Sequence, residues 1–205
     1  VTPADPVVFV VDDDASMLRA VSRLIRSAGR RVESFASPRD FLDRPPHDGP
    51  GCLVLDLKMP GLSGLEVQEA LSSGARALPI VFVSGHGKIP AAVRAMKAGA
   101  VDFLTKPFED DALLASVEAA IERSVALRAD GAETRALESR LRTLTPRERE
   151  VLPLVARGLP NKQIASRLGT SLQTIKVHRA RVMAKMEAAS LADLVRMASR
   201  AGISS

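Results

Sequence analysis

The chain has 205 residues, 46% hydrophobic and 26% charged, with a formal net charge of +5, which allows one large soluble domain or two small ones. Its single cysteine, Cys52, excludes an internal disulfide, and the scattered His47, His86 and His178 give no zinc-ligand spacing. No apolar run is long enough to cross a bilayer and no signal-peptide pattern opens the chain, so the expected location is the cytoplasm, with no membrane partner.

The charge is unevenly placed. Residues 1–123 hold 14 Lys/Arg and 17 Asp/Glu, a net −3, whereas residues 124–205 hold 15 and 7, a net +8. This pattern predicts two domains with different partners, the basic one pointing to nucleic acid.

Val7 to Val11 is a continuous apolar run and predicts a strand buried on both faces. It ends in Asp12-Asp13-Asp14. A helix follows through Met17, Leu18, Val21, Leu24 and Ile25, with Gly29 as its stop. Arg31 to Phe35 predicts a second strand, and Ser37-Pro38 opens a short helix through Phe41 and Leu42. After a Pro/Gly loop, Leu53-Val54-Leu55 is a third, central strand that ends on Asp56. Pro60, Gly61 and Gly64 force a loop before a helix ending near Gly74. Pro79 to Val83 is the fourth strand, followed by the loop Ser84-Gly85-His86-Gly87. A helix through Val93 and Met96 stops at Gly99. Val101 to Leu104 is the fifth strand, ending in Thr105-Lys106-Pro107. The last helix of this part carries Leu113, Leu114, Val117 and Ile121.

Five strands each followed by a helix predict an α/β fold, a flavodoxin-like doubly wound parallel sheet. Asp12 and Asp13, Asp56, Ser84 and Lys106 then share the carboxyl edge of that sheet, where open α/β folds bind ligands. Taken alone, Asp12 to Asp14 is an acidic cluster complementing a helix dipole. Convergence with the other strand ends gives it chemistry. Neighbouring carboxylates repel, and a hard divalent cation neutralises them. A lysine and a hydroxyl complete a phosphoryl pocket, and an ionised carboxylate is a competent nucleophile for phosphoryl transfer.

These residues resemble the site pattern of bacterial response-regulator receiver domains: Asp12-Asp13, Asp56 in Asp-Leu-Lys-Met-Pro, Ser84, and Lys106-Pro107. The resemblance covers residues 6–123, and the segment from Gly85 through Gly99-Ala100 is similar to the FixJ-type subgroup. It implies that Asp56 is the phosphoacceptor. It implies further that Asp13, Asp56 and the backbone carbonyl of Lys58 bind Mg²⁺ (Mn²⁺ as an alternative), with Asp12 assisting. Lys106 would contact the phosphoryl oxygens across a cis Lys106-Pro107 bond. Ser84 and Phe103 would move together on phosphorylation. Lys88 departs from the subgroup, where an acidic residue is usual.

Residues 124–142 are polar, Leu137 and Leu141 share helical spacing with Leu144 just beyond them, and Glu138 precedes Arg142 by four. They predict a helical linker in which Gly131 is a weak point and whose three leucines are too few for a coiled coil. Thr145-Pro146-Arg147-Glu148 is a capping box that starts a helix, which Pro153 is expected to kink. Asn161 is expected to cap the next helix, and Ser171 opens a third from about Gln173 to Met186. Ser190 caps a fourth, closed by Gly202. The predicted organisation is residues 1–124, a linker over 125–142, and a small all-α domain of four helices over 143–205.

Two short helices joined at Gly169-Thr170-Ser171 make a helix-turn-helix whose third helix belongs in a DNA major groove. Residues 146–205 hold 11 basic and 4 acidic side chains, net +7. The whole segment resembles the LuxR-type output domain, from Leu144-Thr-Pro-Arg-Glu through Asn161-Lys-Gln-Ile-Ala and Thr174-Ile-Lys-Val-His to Lys185-Met186. That similarity makes Lys176 and Val177 the base-edge candidates. Lys162, Thr174, His178 and Lys185 become phosphate contacts, with Arg181 on the same exposed face. Ala180 occupies a position where some relatives carry a longer, base-reading side chain.

The expected function is a transcription factor switched by phosphorylation of Asp56, with a sensor histidine kinase, double-stranded DNA and a second copy of itself as partners. A Mg²⁺-dependent phosphatase with an aspartyl nucleophile is the rival. Such enzymes often place a general acid two residues after the nucleophile, and Lys58 stands there instead. A third reading is a receiver carrying a structural or protein-binding tail.

Overall fold

The computed structural model of the protein describes residues 5–72, 78–85 and 89–203. The chain divides into two compact units, residues 1–128 and 129–205. The first contains β1 (Val7–Val11), α1 (Ala15–Ser27), β2 (Arg31–Phe35), α2 (Pro38–Asp43), β3 (Gly51–Asp56), α3 (Gly64–Ser72), β4 (Ile80–Ser84), α4 (Ile89–Lys97) and β5 (Asp102–Thr105). Helix α5 (Asp110–Thr143) begins in it. The strands pair in parallel in the order β2-β1-β3-β4-β5, the flavodoxin-like arrangement. The order reverses between β1 and β3, and that switch point is where such folds open a crevice at the carboxyl edge.

Side-chain alternation divides the core into two layers. Val8, Val10, Cys52, Val54, Val81 and Val83 face α1 and α5 through Val21, Ile25, Leu113 and Val117. Val7, Phe9, Val11, Leu53, Leu55 and Phe82 face α2, α3 and α4 through Phe41, Val67, Leu71 and Ala95. Burial on both faces is why β1, β3 and β4 read as apolar runs, whereas the edge strands β2 and β5 carry polar residues. β4 starts at Ile80, not Pro79: proline has no N–H for the ladder, although the Pro79 carbonyl accepts from Leu53 N at 2.9 Å. β5 is likewise displaced by one residue. The expected stop at Gly74, the loop residues His86 and Gly87, and Lys88 lie outside the described residues.

Local chemistry fixes the helix ends. Asp14 caps α1, accepting from Ser16 N at 2.8 Å and Met17 N at 3.2 Å, so one member of the acidic run is a cap. The Ser37 side chain caps α2 in front of Pro38. Helix α5 continues through Gly131 to Thr143.

The second unit consists of the last part of α5 with α6 (Pro146–Ala156), α7 (Asn161–Arg167), α8 (Leu172–Lys185) and α9 (Leu191–Arg200). Leu137 and Leu144 are buried with Val151, Leu152, Ile164, Ile175, Val182 and Leu194, and Leu141 packs against this cluster. Leu137 and Leu141 of the expected linker, together with Leu144, therefore belong to the core of this unit. Arg200 of α9 adds ion pairs to Asp130 and, at 2.9 Å, to Glu133. The Glu138–Arg142 pair is present at 3.8 Å between exposed side chains, which makes it weak.

The capping box at Thr145 forms as expected, with Pro146 behind it, and α6 passes through Pro153. Asn161 corrects its expected role. It is the first helical residue rather than the cap, and Pro160 holds the cap position without a side-chain bond. The Asn161 side chain instead accepts from Arg179 Nη1 at 3.1 Å, tying α7 to α8.

Candidate functional site

β1, β3 and β5 deliver the three central side chains. Asp12 follows β1 and is buried, Asp56 ends β3 and is buried, and Lys106 follows β5. Lys106 Nζ reaches Asp12 Oδ2 at 2.7 Å and Asp56 Oδ1 at 2.9 Å. The other oxygen of Asp56 accepts from Lys58 N at 2.7 Å, and the other oxygen of Asp12 accepts from Asp14 N at 2.9 Å. Each buried carboxylate is thus held by one ammonium and one backbone amide.

The electrostatics follow from burial. Desolvation raises the Asp12 carboxyl above its ordinary value, even though Lys106 and Asp14 N pull the other way. Burial alone would lower Lys106, but its bonds to Asp12 and Asp56 outweigh burial and raise it. The ammonium therefore stays charged between two carboxylates.

Glycine shapes the loop after β3. Gly61 adopts φ +84, a conformation open to glycine. At Gly64 a Cβ would lie 2.5 Å from the Asp56 carbonyl oxygen and 2.9 Å from the Phe82 ring. Only hydrogen at that position lets the start of α3 approach the backbone of Asp56.

Ser84 ends β4 and is buried, and its carbonyl accepts from Lys106 N at 2.9 Å. Phe103 is half-buried and pairs in register with Phe82, their rings 6.1 Å apart. The Lys106-Pro107 bond is cis, in agreement with expectation. Asp13 is exposed beside Asp12, and Lys58 is exposed. Among the described residues no three His, Cys, Asp or Glu side chains converge as a metal cluster. The donors present at this edge are carboxylates and backbone oxygens, a set that suits a hard cation completed by water.

In the second unit, the Ser171 side chain caps α8 by accepting from Thr174 N at 3.0 Å, and the two hydroxyls lie 2.8 Å apart. Lys162, Lys176, Ala180 and Arg181 are exposed, Val177 is 40% exposed, and Thr174 and His178 are half-buried. These residues, expected to contact DNA, lie on α8 and at the start of α7. The His178 Nδ1 atom is buried with no partner among the described residues.

Lys185 has an intramolecular partner that its sequence neighbours do not reveal. Its ammonium lies 2.6 Å from Glu148 Oε2 and 3.0 Å from the Thr143 carbonyl. Glu148 is buried and also accepts from Thr145 N at 2.9 Å. Burial works against the Glu148 charge, but the bonds from Lys185 and Thr145 outweigh it and hold the carboxyl below its ordinary 4.5. A phosphate contact at Lys185 would therefore have to share an ammonium that already holds a buried carboxylate, and detaching it would leave that charge unpaired. Glu148 was visible in the sequence as a capping residue. Its partner, 37 residues away, was not.

Comparison with known proteins accords with both units. Residues 8–118 match the family described as "Response regulator receiver domain", and residues 142–198 match "Bacterial regulatory proteins, luxR family". The chain is 50% identical over 198 residues to Nodulation protein W of Bradyrhizobium diazoefficiens, covering 97% of this chain and 87% of that protein. It is 45% identical over 196 residues to Transcriptional regulatory protein FixJ of the same species, covering 96% of each. Among solved structures, the response regulator StyR matches at a TM-score of 0.86 with 47% identity, covering 96% of this chain and 100% of that one. Full-length FixJ from B. japonicum matches at 0.58 with 44% identity, covering 98% and 99%. No helix among the described residues is long and apolar enough to cross a membrane. With a receiver match, a luxR-family match and relatives aligned over nearly the whole length, the chain belongs to the two-component response regulators that join a receiver to a LuxR-type DNA-binding domain.

Proposed function

We propose that Asp56 is the phosphoacceptor and that its phosphorylation, by a sensor histidine kinase, controls DNA binding by the second unit. The observation that carries this reading is Lys106 bridging Asp12 and Asp56 at the sheet's carboxyl edge. A carboxylate oxygen of Asp56 attacks phosphorus, the new O–P bond forming as the P–N bond to the kinase histidine breaks. Lys106 moves from the free carboxylate to the oxygens of the transferred group, and Ser84 supplies a hydroxyl on the neighbouring strand. Mg²⁺ (or Mn²⁺), when bound, offsets charge on the carboxylates and phosphoryl oxygens. Asp13, Asp56 and the Lys58 carbonyl would hold it, with Asp12 assisting. The receiver catalyses only this transfer and the later dephosphorylation, in which water attacks phosphorus, the O–P bond to Asp56 breaks and inorganic phosphate leaves; it acts on no other substrate. The proposed boundaries are 1–124 for the receiver, 125–142 for a helical linker whose residues from 129 onward pack with the second unit, and 143–205 for the DNA-binding domain, and the place of action is the cytoplasm.

Asp13 gives the first test. Asp13→Asn should weaken Mg²⁺ binding at least about tenfold, since one of two or three carboxylates is lost. Titration calorimetry of Mg²⁺ into the variant checks this, and unchanged affinity removes Asp13 from the ligand set.

Phosphorylation should also promote dimerisation of the full chain, because Ser84 and Phe103 link the site to β5 and the neighbouring α4. Exposed Val93 and Met96 on α4 supply apolar surface there. Light scattering with beryllofluoride, a phosphoryl mimic, should give twice the mass found without it. Equal masses at working concentration count against the dimer.

On DNA, exposed Lys176 near the start of α8 should donate to guanine O6 and N7, beside Val177. Lys162, Thr174, His178 and Arg181 should meet phosphate. Lys176→Ala should cost about 1–3 kcal/mol and relax preference at one base pair. Affinities for single-base operator variants decide it: uniform weakening across all of them makes Lys176 a phosphate contact.

A further inference from the structure

Leu141 and Arg142 of α5, Arg149 and Leu152 of α6, and Ile203 after α9 line a cavity of about 420 Å³ in the second unit. Its floor is apolar, with Leu152 buried and Leu141 and Ile203 half-buried. Its rim is cationic: Arg142 and Arg149 are both exposed, and no carboxylate is among the lining residues. Arg149 Nη2 donates to the Arg142 carbonyl at 3.3 Å, which brings one guanidinium against the backbone of the residue carrying the other. The Glu138 carboxylate, 3.8 Å from Arg142 and exposed, answers only a small part of that charge. No residue of α7 or α8 contributes to the cavity, so an occupant leaves the DNA-reading side chains free.

We propose that this cavity docks an acidic, apolar segment of a partner protein. An amphipathic helix would set aliphatic side chains on Leu141, Leu152 and Ile203 and carboxylates on Arg142 and Arg149. The chemistry is helix-in-groove recognition with paired Arg–carboxylate bonds at the rim. An apolar floor offers nothing to a nucleic-acid backbone, which rules against a second DNA contact. The arginines stand at the exposed rim, so a ligand must extend out of the cavity to meet them. A helix with apolar and acidic residues on adjoining faces does so.

The test uses the full chain and a fluorescein-labelled helical peptide with leucines on one face and glutamates beside them. One control peptide replaces every glutamate by lysine, and another replaces every leucine by serine. Fluorescence anisotropy should show binding of the first peptide alone. The double variant Arg142→Gln/Arg149→Gln should weaken it by about tenfold or more. Ile203→Ser should weaken it independently, with circular dichroism unchanged in both variants. Absence of binding, or variants that bind as the parent does, overturns the proposal. Equal binding of the serine peptide would mean diffuse attraction to a basic unit and also overturns it. Displacement by octanoate at lower concentration than by the unlabelled peptide would make the occupant a small acid, which contradicts a protein partner.

Discussion

Asp56→Asn should abolish phosphorylation by acetyl phosphate while the receiver keeps its fold. The amide has the carboxylate's shape, so Lys58 N keeps an acceptor, and Lys106 keeps its 2.7 Å bond to Asp12. What the variant lacks is a nucleophilic oxygen. An amide oxygen carries no full negative charge and forms no stable phosphoester, so the expected loss is total within detection. Phosphate-affinity electrophoresis measures the adduct, and circular dichroism checks the fold. An acid-labile adduct forming on this variant at the parent's rate would place the acceptor elsewhere.

Lys185→Ala should have the second large effect, on stability. Removing the ammonium leaves Glu148, 1% exposed, as a buried charge held only by the Thr145 cap. Loss of one partner of a buried pair costs about 3–5 kcal/mol. The Lys185 side chain is 33% exposed, so solvent already screens the pair, and about 2–3 kcal/mol is expected. Hydrogen exchange in α6 and α8 of the full chain should quicken by about 30- to 150-fold. Lys176→Ala, which loses an exposed side chain, should leave exchange unchanged. An unaltered exchange rate in the Lys185 variant would mean that the Lys185–Glu148 pair adds nothing to stability. The same pair sets a pH dependence. Glu148 is held below its ordinary value, so its contribution is complete above about pH 4.5 and disappears as pH falls through the lowered folded value. In the Glu148→Gln variant that acid-sensitive part should be missing.

The sheet and its edge were legible because the three central strands, β1, β3 and β4, are apolar runs that stop on a polar residue, as Val11 stops before Asp12 and Leu55 before Asp56. Once the strands are parallel, chemistry at their carboxyl ends must converge, and Lys106 meets Asp12 and Asp56 for that reason. Capping was legible at Thr145, Ser171 and Ser190, where a hydroxyl stands ahead of an apolar repeat. Contacts between helices distant in sequence were not. Asn161 looks like a cap, yet Arg179 takes its side chain. Leu137, Leu141 and Leu144 show helical spacing, which states a face but not what covers it; α6 and its neighbours do. Lys185 lies on a basic helix, and nothing local marks it as the partner of Glu148. Periodicity and capping are local properties, whereas the pairing of a charge is decided by tertiary packing.

The most direct measurement is selection of genomic DNA fragments by the full chain, with and without acetyl phosphate, followed by sequencing. Parent protein with acetyl phosphate should enrich fragments that share a sequence, and Asp56→Asn under the same conditions should enrich none. Equal enrichment by parent and variant would contradict control of DNA binding through Asp56.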